Sequence, residues 1–429
     1  MIEDFFQVHK RHVGARAQEY ISGLLSGARR KNMEGISEVI PEVNYENLQN
    51  FISKSPWLVE PIWRWLGLEA AKALGGGEDA MLLVDESGFS KKGEASVGVA
   101  RQYNGRLGKV DNCQVGVFAS LSYKDRATLI GARLYLPKDW LDQKKRGDKV
   151  QIPKAHRVQR TKPQLAWDLI EQAEHDGVTF GWVGIDAGYG RDQNLLLKIA
   201  GSGKKFVADV DCDQRVWLEV PREDQRPKGI EASGALRVDA IWKESKAQGR
   251  AVELRRGENG FVVVQFWRRR VWIWPGDSEL PIEVWLLISE RADGSVKYSL
   301  SNAERSIGFE ALARRQGQRY FVERCFQDGK SHLGMAEYET RGWLAWHHHM
   351  ALVGLAMHFT LLEREALKEE APLLSVRDIV ELMGGWFSCE LSKEDLVARI
   401  TARHKRRSLQ MRRKLRQAAA ENGKRHVPK

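Results

Sequence analysis

The sequence predicts a mixed α/β protein: a sheet core interrupted by a β-rich block, with helical segments at both ends. Three observations carry this reading. Aliphatic runs separated by Gly, Asn and Lys turns fill Met81 to about Tyr135 and return at 179–186, after a helical stretch at 163–175. Between 205 and 306 the texture is β alternation, as in "GFVVVQFWRRRVWIWPG" and "PIEVWLLISER". Helical periodicity marks 1–74 and 308–368.

The elements follow in order. "RAQEYISGLLSGARRKN" sets Tyr20, Leu24 and Leu25 at helical spacing, and "NYENLQNFISKSPWLVEPIWRWLGLEAAKAL" repeats the pattern with breaks at Pro56 and Pro61. Gly75-Gly76-Gly77 predicts a hinge. Strands are expected at 81–85, 96–101, 113–122, 127–135 and 179–186, with a charged loop over 138–162. The implied division is 1–77 helical and DNA-binding, 78–204 first part of the core, 205–306 β-rich insertion, 307–370 second part of the core, and 371–429 a basic helical region. The stretch from Arg403 to Lys429 carries Glu421 as its one acid and predicts non-specific affinity for DNA.

Composition narrows the function. The chain has 429 residues, a formal net charge of +11 and a pI near 9.4, which favours a polyanionic partner, nucleic acid first. No apolar run reaches the roughly 18–20 residues of a membrane span. The longest, Met350 to Phe359, is expected to be a core helix. "MIEDFFQVHKRH" lacks an apolar signal core, so a cytoplasmic, nucleoid-associated protein is expected. Cys113, Cys212, Cys325 and Cys389 show no paired spacing, which argues against a disulfide framework or a zinc finger.

Two aliphatic runs end on aspartate: "LLVD" at Asp85 and "VGID" at Asp186. Strand ends that meet in an open sheet build sites, and adjacent carboxylates are relieved of their repulsion by a divalent cation such as Mg²⁺. A two-metal phosphoryl-transfer site needs a third carboxylate. "GQRYFVERCFQDGK" offers Glu323. At about 100° per residue on one continuous helix, Gln316, Arg319, Glu323 and Lys330 share a face. A salt-bridged solvent face is the plain alternative for that helix.

Strand-terminal aspartates, a β-rich block and Arg-x3-Glu-x6-Lys on a helix together resemble the DDE transposases of bacterial insertion sequences. The likeness is to the group with a Tyr-x2-Arg-x3-Glu-x6-Lys signature and a β domain inserted before the glutamate. "VDESGFSKKGEASVGVARQYNGRLGKVDNCQVGVF" and "ERCFQDGKSHLGMAEYETRGWLAWHHHMAL" carry the likeness, which spans roughly 15–410. It implies a ribonuclease-H-like core with Asp85, Asp186 and Glu323 as catalytic metal ligands for two Mg²⁺ ions, with Mn²⁺ as substitute. It also implies double-stranded DNA as partner, both terminal inverted repeats and target, bound by a homodimer. Gln316 stands where the group has its tyrosine, which predicts an open excision end rather than a hairpin. Expected DNA contacts are Arg319, Lys330, Lys91, Lys92, Arg324 and Trp272.

Other patterns read more plainly. Glu86 points away from Asp85 across a strand. Asp209, Asp211 and Asp213 alternate and share a face, which could bind a cation, although a solvated strand edge is the plainer reading. His347-His348-His349 cannot share one helical face and is better read as core or surface histidines. "GSGKK" lacks the Walker spacing. Trp267, Trp272 and Trp274 alternate around Arg268–Arg270, which suits either core packing or base stacking. A nuclease without strand transfer and a non-enzymatic DNA-binding regulator are the competing functions.

Overall fold

The computed structural model describes residues 3–387 apart from 9–10, 41–42, 106, 228–231, 258–259, 276–277, 279 and 372–373, together with Lys405, Leu409, Arg412 and Arg416. The expected role of the basic tail falls almost wholly outside the described residues.

Four helices open the chain: α1 (Gly14–Leu25), α2 (Met33–Val39), α3 (Tyr45–Ser53) and α4 (Glu60–Leu74). Asn32 and Asn44 cap α2 and α3 with their side chains, and Pro61 sits in the first turn of α4, where its missing N–H costs nothing. Gly75 ends α4 in the left-handed region at φ 67°.

A ten-stranded sheet follows. Its first strands are β1 (Met81–Ser90), β2 (Ala100–Asn104), β3 (Lys109–Tyr123) and β4 (Arg126–Leu134). Helix α5 (Lys162–His175), opened by a capping box between Thr161 and Gln164, crosses back to β5 (Trp182–Ile185). The short turn α6 (Ala187–Gly190) and helix α7 (Gln193–Gly201) lead to β6 (Lys205–Val210). β4, β3 and β1 are antiparallel neighbours, while β1, β5 and β6 run parallel. That is the ribonuclease-H-like order.

The β-rich block supplies β7 (Arg250–Gly257), β8 (Gly260–Ile273), β9 (Ile282–Glu290) and β10 (Val296–Ser301). These do not fold apart from the core. β10 pairs antiparallel with β6, so the block extends the same sheet. β6, placed in the insertion from its texture, is a core strand paired parallel with β5. The chain closes with α8 (Phe309–Gln318), α9 (Tyr320–His332), α10 (Trp343–Ala366) and α11 (Val376–Phe387).

Strand alternation sends Leu82 and Val84 to one side of the sheet, beneath α5 and α7, and Met81 and Leu83 to the other, beneath α9 and α10. The second layer also contains Tyr20, Leu48, Trp57 and Trp63 of the N-terminal segment. The glycine run is therefore no hinge between separate bodies, because the helices before it share the core of the sheet. Gly354 on α10 marks a close approach: a Cβ there would lie 2.7 Å from the Trp63 ring. Met350–Met357 is buried throughout, as a core helix should be. No described helix is long and apolar enough to cross a membrane.

His348 and His349 are buried on α10, and His349 Nδ1 lies 2.9 Å from the Tyr20 hydroxyl. Burial pushes His349 down to about 3, with the Lys91 charge adding to the effect.

Gly354→Ala should cost on the order of 1–3 kcal/mol by overpacking, measured as a lower denaturant midpoint. Gly201→Ala, whose Cβ would meet nothing within 4 Å, should be nearly neutral. Because His349 titrates near 3 when folded against 6.5 ordinarily, the unfolded chain binds the extra proton between those values. Its contribution is thus full above pH 6.5 and lost as pH falls toward 3. His349→Gln should flatten the fall in stability over that window relative to the unsubstituted protein.

Candidate active site

Three parallel strands bring three aspartates into one row. Val84 pairs with Ile185, and Ile185 with Ala208, so the next residues, Asp85, Asp186 and Asp209, stand abreast. In register on parallel strands about 4.8 Å apart, they face the same side of the sheet, the side covered by α9. Asp85 is not strand-terminal: β1 runs on to Ser90, so the carboxylate lies in mid-strand. Asp186 directly follows β5 and caps the turn after it, accepting from Tyr189 N at 3.1 Å. Gly190 closes that turn against β6, where a Cβ would lie 2.1 Å from the Asp209 carbonyl oxygen.

Glu323 comes from α9, one turn after Arg319. The expected single helix is broken at Arg319, which ends α8 and begins α9. Gln316 consequently turns inward. It is 2% exposed and donates to Ser299 Oγ at 2.9 Å and to the Leu287 carbonyl. The helix does persist through Asp328-Gly329, carrying Lys330.

Arg319 binds the acids together. Nε donates to Asp209 Oδ2 at 2.5 Å, Nη1 to Asp85 Oδ2 at 3.2 Å and Nη2 to Glu323 Oε1 at 2.7 Å. Asp209 also takes Lys297 Nζ at 2.9 Å and the Ser299 hydroxyl at 2.7 Å. Burial and then the Asp186 charge push the Asp85 carboxyl up to about 8, against the opposing pull of Arg319. Burial also raises Asp186, opposed by the Tyr189 N–H and Arg319. Burial acts to lower the guanidinium, but Asp209, Asp85, Glu323 and Asp186 outweigh it and hold Arg319 above its ordinary value.

The donor set is all carboxylate oxygen, the chemistry of a hard divalent cation, and the Asp186 charge beside buried Asp85 adds to the demand for one. Asp85, Asp186 and Glu323 thus fit such an ion. With the guanidinium between them, however, no group of three or more His, Cys, Asp or Glu side chains among the described residues is gathered to hold one.

A groove of about 470 Å³ includes this centre, lined by Asp209, Arg319 and Glu323 together with Arg255, Arg291, Lys297 and Tyr320. The Arg255 guanidinium lies 3.7 Å from the Tyr320 ring centroid.

The remaining sequence candidates are dispersed. Lys330 donates to the Gly88 carbonyl at 2.9 Å, close to β1 beyond Asp85. Arg324 pairs with Asp328 on its own helix at 3.2 Å. Lys91 lies six residues past Asp85, about 20 Å along an extended strand. It packs 3.6 Å from the Tyr338 ring centroid and donates to the Tyr338 carbonyl, so it is not a neighbour of the acids. Lys92 is exposed. Trp272 packs in a small cluster with Trp217, Ala235 and Trp274, three strands from Asp209. Trp267 and Trp274 are buried, in keeping with core packing.

Asp209 is the residue that sequence reasoning missed. It is 6% exposed, not on a solvated edge. "FVAD" repeats the pattern of "LLVD" and "VGID", an aliphatic run delivering an aspartate, and that signal identifies it. Asp211, by contrast, does pair near the surface, with Arg191.

Residues 4–260, more than half of the chain, match the DDE superfamily endonucleases. The chain belongs to this family. A DDE superfamily endonuclease is in general a metal-dependent nuclease, and the matched segment contains Asp85, Asp186 and Asp209 but ends before Glu323. A "Probable transposase for insertion sequence element IS701" from Microchaete diplosiphon is 32% identical over 194 residues, covering 44% of each chain. The chain thus matches less than half the length of that relative. Among solved structures, the piggyBac transposase synaptic complex with hairpin DNA is similar over 91% of this chain and 76% of that one, at 11% identity and a TM-score of 0.41. The NurA nuclease from Sulfolobus solfataricus is similar over 69% and 86%, at 7% identity and a TM-score of 0.26.

Gln316→Leu should strip the Ser299 hydroxyl and the Leu287 carbonyl of a donor, at a cost of about 1–3 kcal/mol. The denaturant midpoint measures this.

Proposed function

We propose that this chain is a DNA transposase: it binds the terminal inverted repeats of its element, cuts at the ends and joins the 3′ hydroxyl to target DNA. The observation that carries the reading is the row of Asp85 and Asp186 on adjacent parallel strands, faced by Glu323 from a helix. The basic net charge and the cations along the groove agree with a polyanionic substrate.

Asp85, Asp186 and Glu323 would hold Mg²⁺, as two ions with Mn²⁺ as substitute, which supply charge stabilisation and nucleophile activation at phosphorus. The other residues bind and orient. Arg255 and Arg291 neutralise the strand entering the groove. Arg319 and Lys330 contact the phosphates flanking the cut, Arg319 with two parallel hydrogen bonds and Lys330 as a point charge. Arg324, Lys92 and Trp272 lie on the outer path of the DNA, while Lys91 serves it indirectly by fixing the chain after β1. Gln316 is committed inside the protein and cannot grip a displaced base, which favours an open excision end. End recognition falls to the exposed cations of the first 77 residues, among them Arg29 and Arg30. A homodimer holds the two ends, and the reaction takes place in the cytoplasm on nucleoid DNA.

Incubating the protein with Mg²⁺ and a fragment bearing the terminal repeats tests this reading. Joined products are expected. Cleavage without joining would make it a nuclease, and a mobility shift without cutting a DNA-binding regulator. Asp85→Asn, Asp186→Asn and Glu323→Gln should each abolish cleavage and joining, because the site loses a metal ligand, while leaving end binding in metal-free buffer within about threefold. Strand transfer by any one of them near the unsubstituted rate would remove that residue from the triad.

A further inference from the structure

Arg319 spends each of its three nitrogens on a different carboxylate, and the partners are not alike. Asp209 is fixed: it is buried, its Oδ1 takes Ser299, and its Oδ2 takes Lys297 as well as Arg319. The Glu323 side chain is 53% exposed and stands on the first turn of α9, so its carboxylate has room to move. Asp85 faces Asp186 and has no cation other than Arg319 within ion-pair distance among the described residues. The guanidinium edge therefore engages one oxygen each of Asp85 and Glu323, two of the three groups a divalent cation would need.

We propose that Arg319 is a built-in counter-cation for the metal-binding carboxylates. Asp209 acts as the positioning residue that retains it, and a DNA phosphate admits the metal by drawing the two Nη nitrogens of Arg319 away from Asp85 and Glu323. This rests on the metal-binding reading of Asp85, Asp186 and Glu323 given above.

The physical case is one of competition. Buried acids side by side need positive charge, and a guanidinium bonded to a carboxylate repels a divalent ion approaching that same carboxylate, so the two compete. The fork geometry of arginine suits carboxylate and phosphate equally, so the Nη edge can pass from one to the other. Asp209, held from three sides and outside the proposed ligand set, keeps Nε in place during the exchange. Metal and DNA then favour each other's binding, as linkage requires.

Calorimetric titration of Mn²⁺ into the full-length protein tests this without reference to activity. Arg319→Lys keeps the charge, but one ammonium cannot span three carboxylates. It should bind Mn²⁺ about tenfold more tightly than the unsubstituted protein in the absence of DNA, in proportion to one charge-assisted hydrogen bond. A short duplex oligonucleotide should strengthen Mn²⁺ binding by the unsubstituted protein about tenfold, and by Arg319→Lys less than about twofold. Asp209→Asn separates anchoring from charge: losing a nearby negative charge alone would weaken Mn²⁺ binding, whereas loosening Arg319 should tighten it. Circular dichroism checks that each variant is folded, and Asp209→Asn carries the test if Arg319→Lys is not. Mn²⁺ binding that Asp85→Asn abolishes but neither Arg319→Lys nor Asp209→Asn tightens would overturn the counter-cation role alone. Absence of Mn²⁺ binding with and without duplex would overturn the triad reading and this proposal together.

Discussion

Setting acids side by side on a sheet interior requires a cation, and that requirement organises this protein. Parallel register alone puts Asp85, Asp186 and Asp209 about one strand spacing apart. In a low-dielectric setting three such groups would take up protons instead of staying charged. The chain answers by breaking a helix at Arg319, which aims a single guanidinium into the row and brings Glu323 to its far side. Register, helix break and buried charge are one arrangement, and none would make physical sense without the others.

The layers around the row serve to keep it rigid. One face of the sheet is covered by α5 and α7, and the other by α9 and the buried helix α10. Trp63 lies against Gly354 of α10, and Tyr20 meets His349 on the same helix, so the N-terminal helices complete the layer that supports α9. The β-rich block joins through β6 and β10, where Ser299 pairs with Asp209 and also bonds its carboxylate. The outer strands thus reach the acid row by both backbone and side chain.

Much of this was legible in the sequence. Asp85 and Asp186 stood out because an aliphatic run seldom delivers a carboxylate, and Glu323 followed from its spacing to Arg319 and Lys330. Asp209 bears the same signature in "FVAD", but Asp211 and Asp213 after it suggested a solvated face, and nothing local says that Arg319 and Lys297 arrive to neutralise it. The break at Arg319 was equally hidden, since a continuous helix fits the periodicity, and nothing local says that Gln316 is bonded inside to Ser299 and Leu287. Lys91 looked close to Asp85 in sequence, yet an extended strand carries it far away. The glycine run after Leu74 suggested independence for the helices before it, whereas Tyr20, Trp57 and Trp63 tie them into a distant core.

The continuity of the sheet from the acid row into the outer strands has a metric consequence. Asp209, Ser299, Leu287 and Arg268 lie on one line across β6, β10, β9 and β8. Three strand spacings make that line about 14 Å long. Backbone hydrogen bonds fix those intervals more tightly than any linker could. The sheet is therefore a ruler: the offset between the acid row and the outer strands is counted in strands and cannot drift.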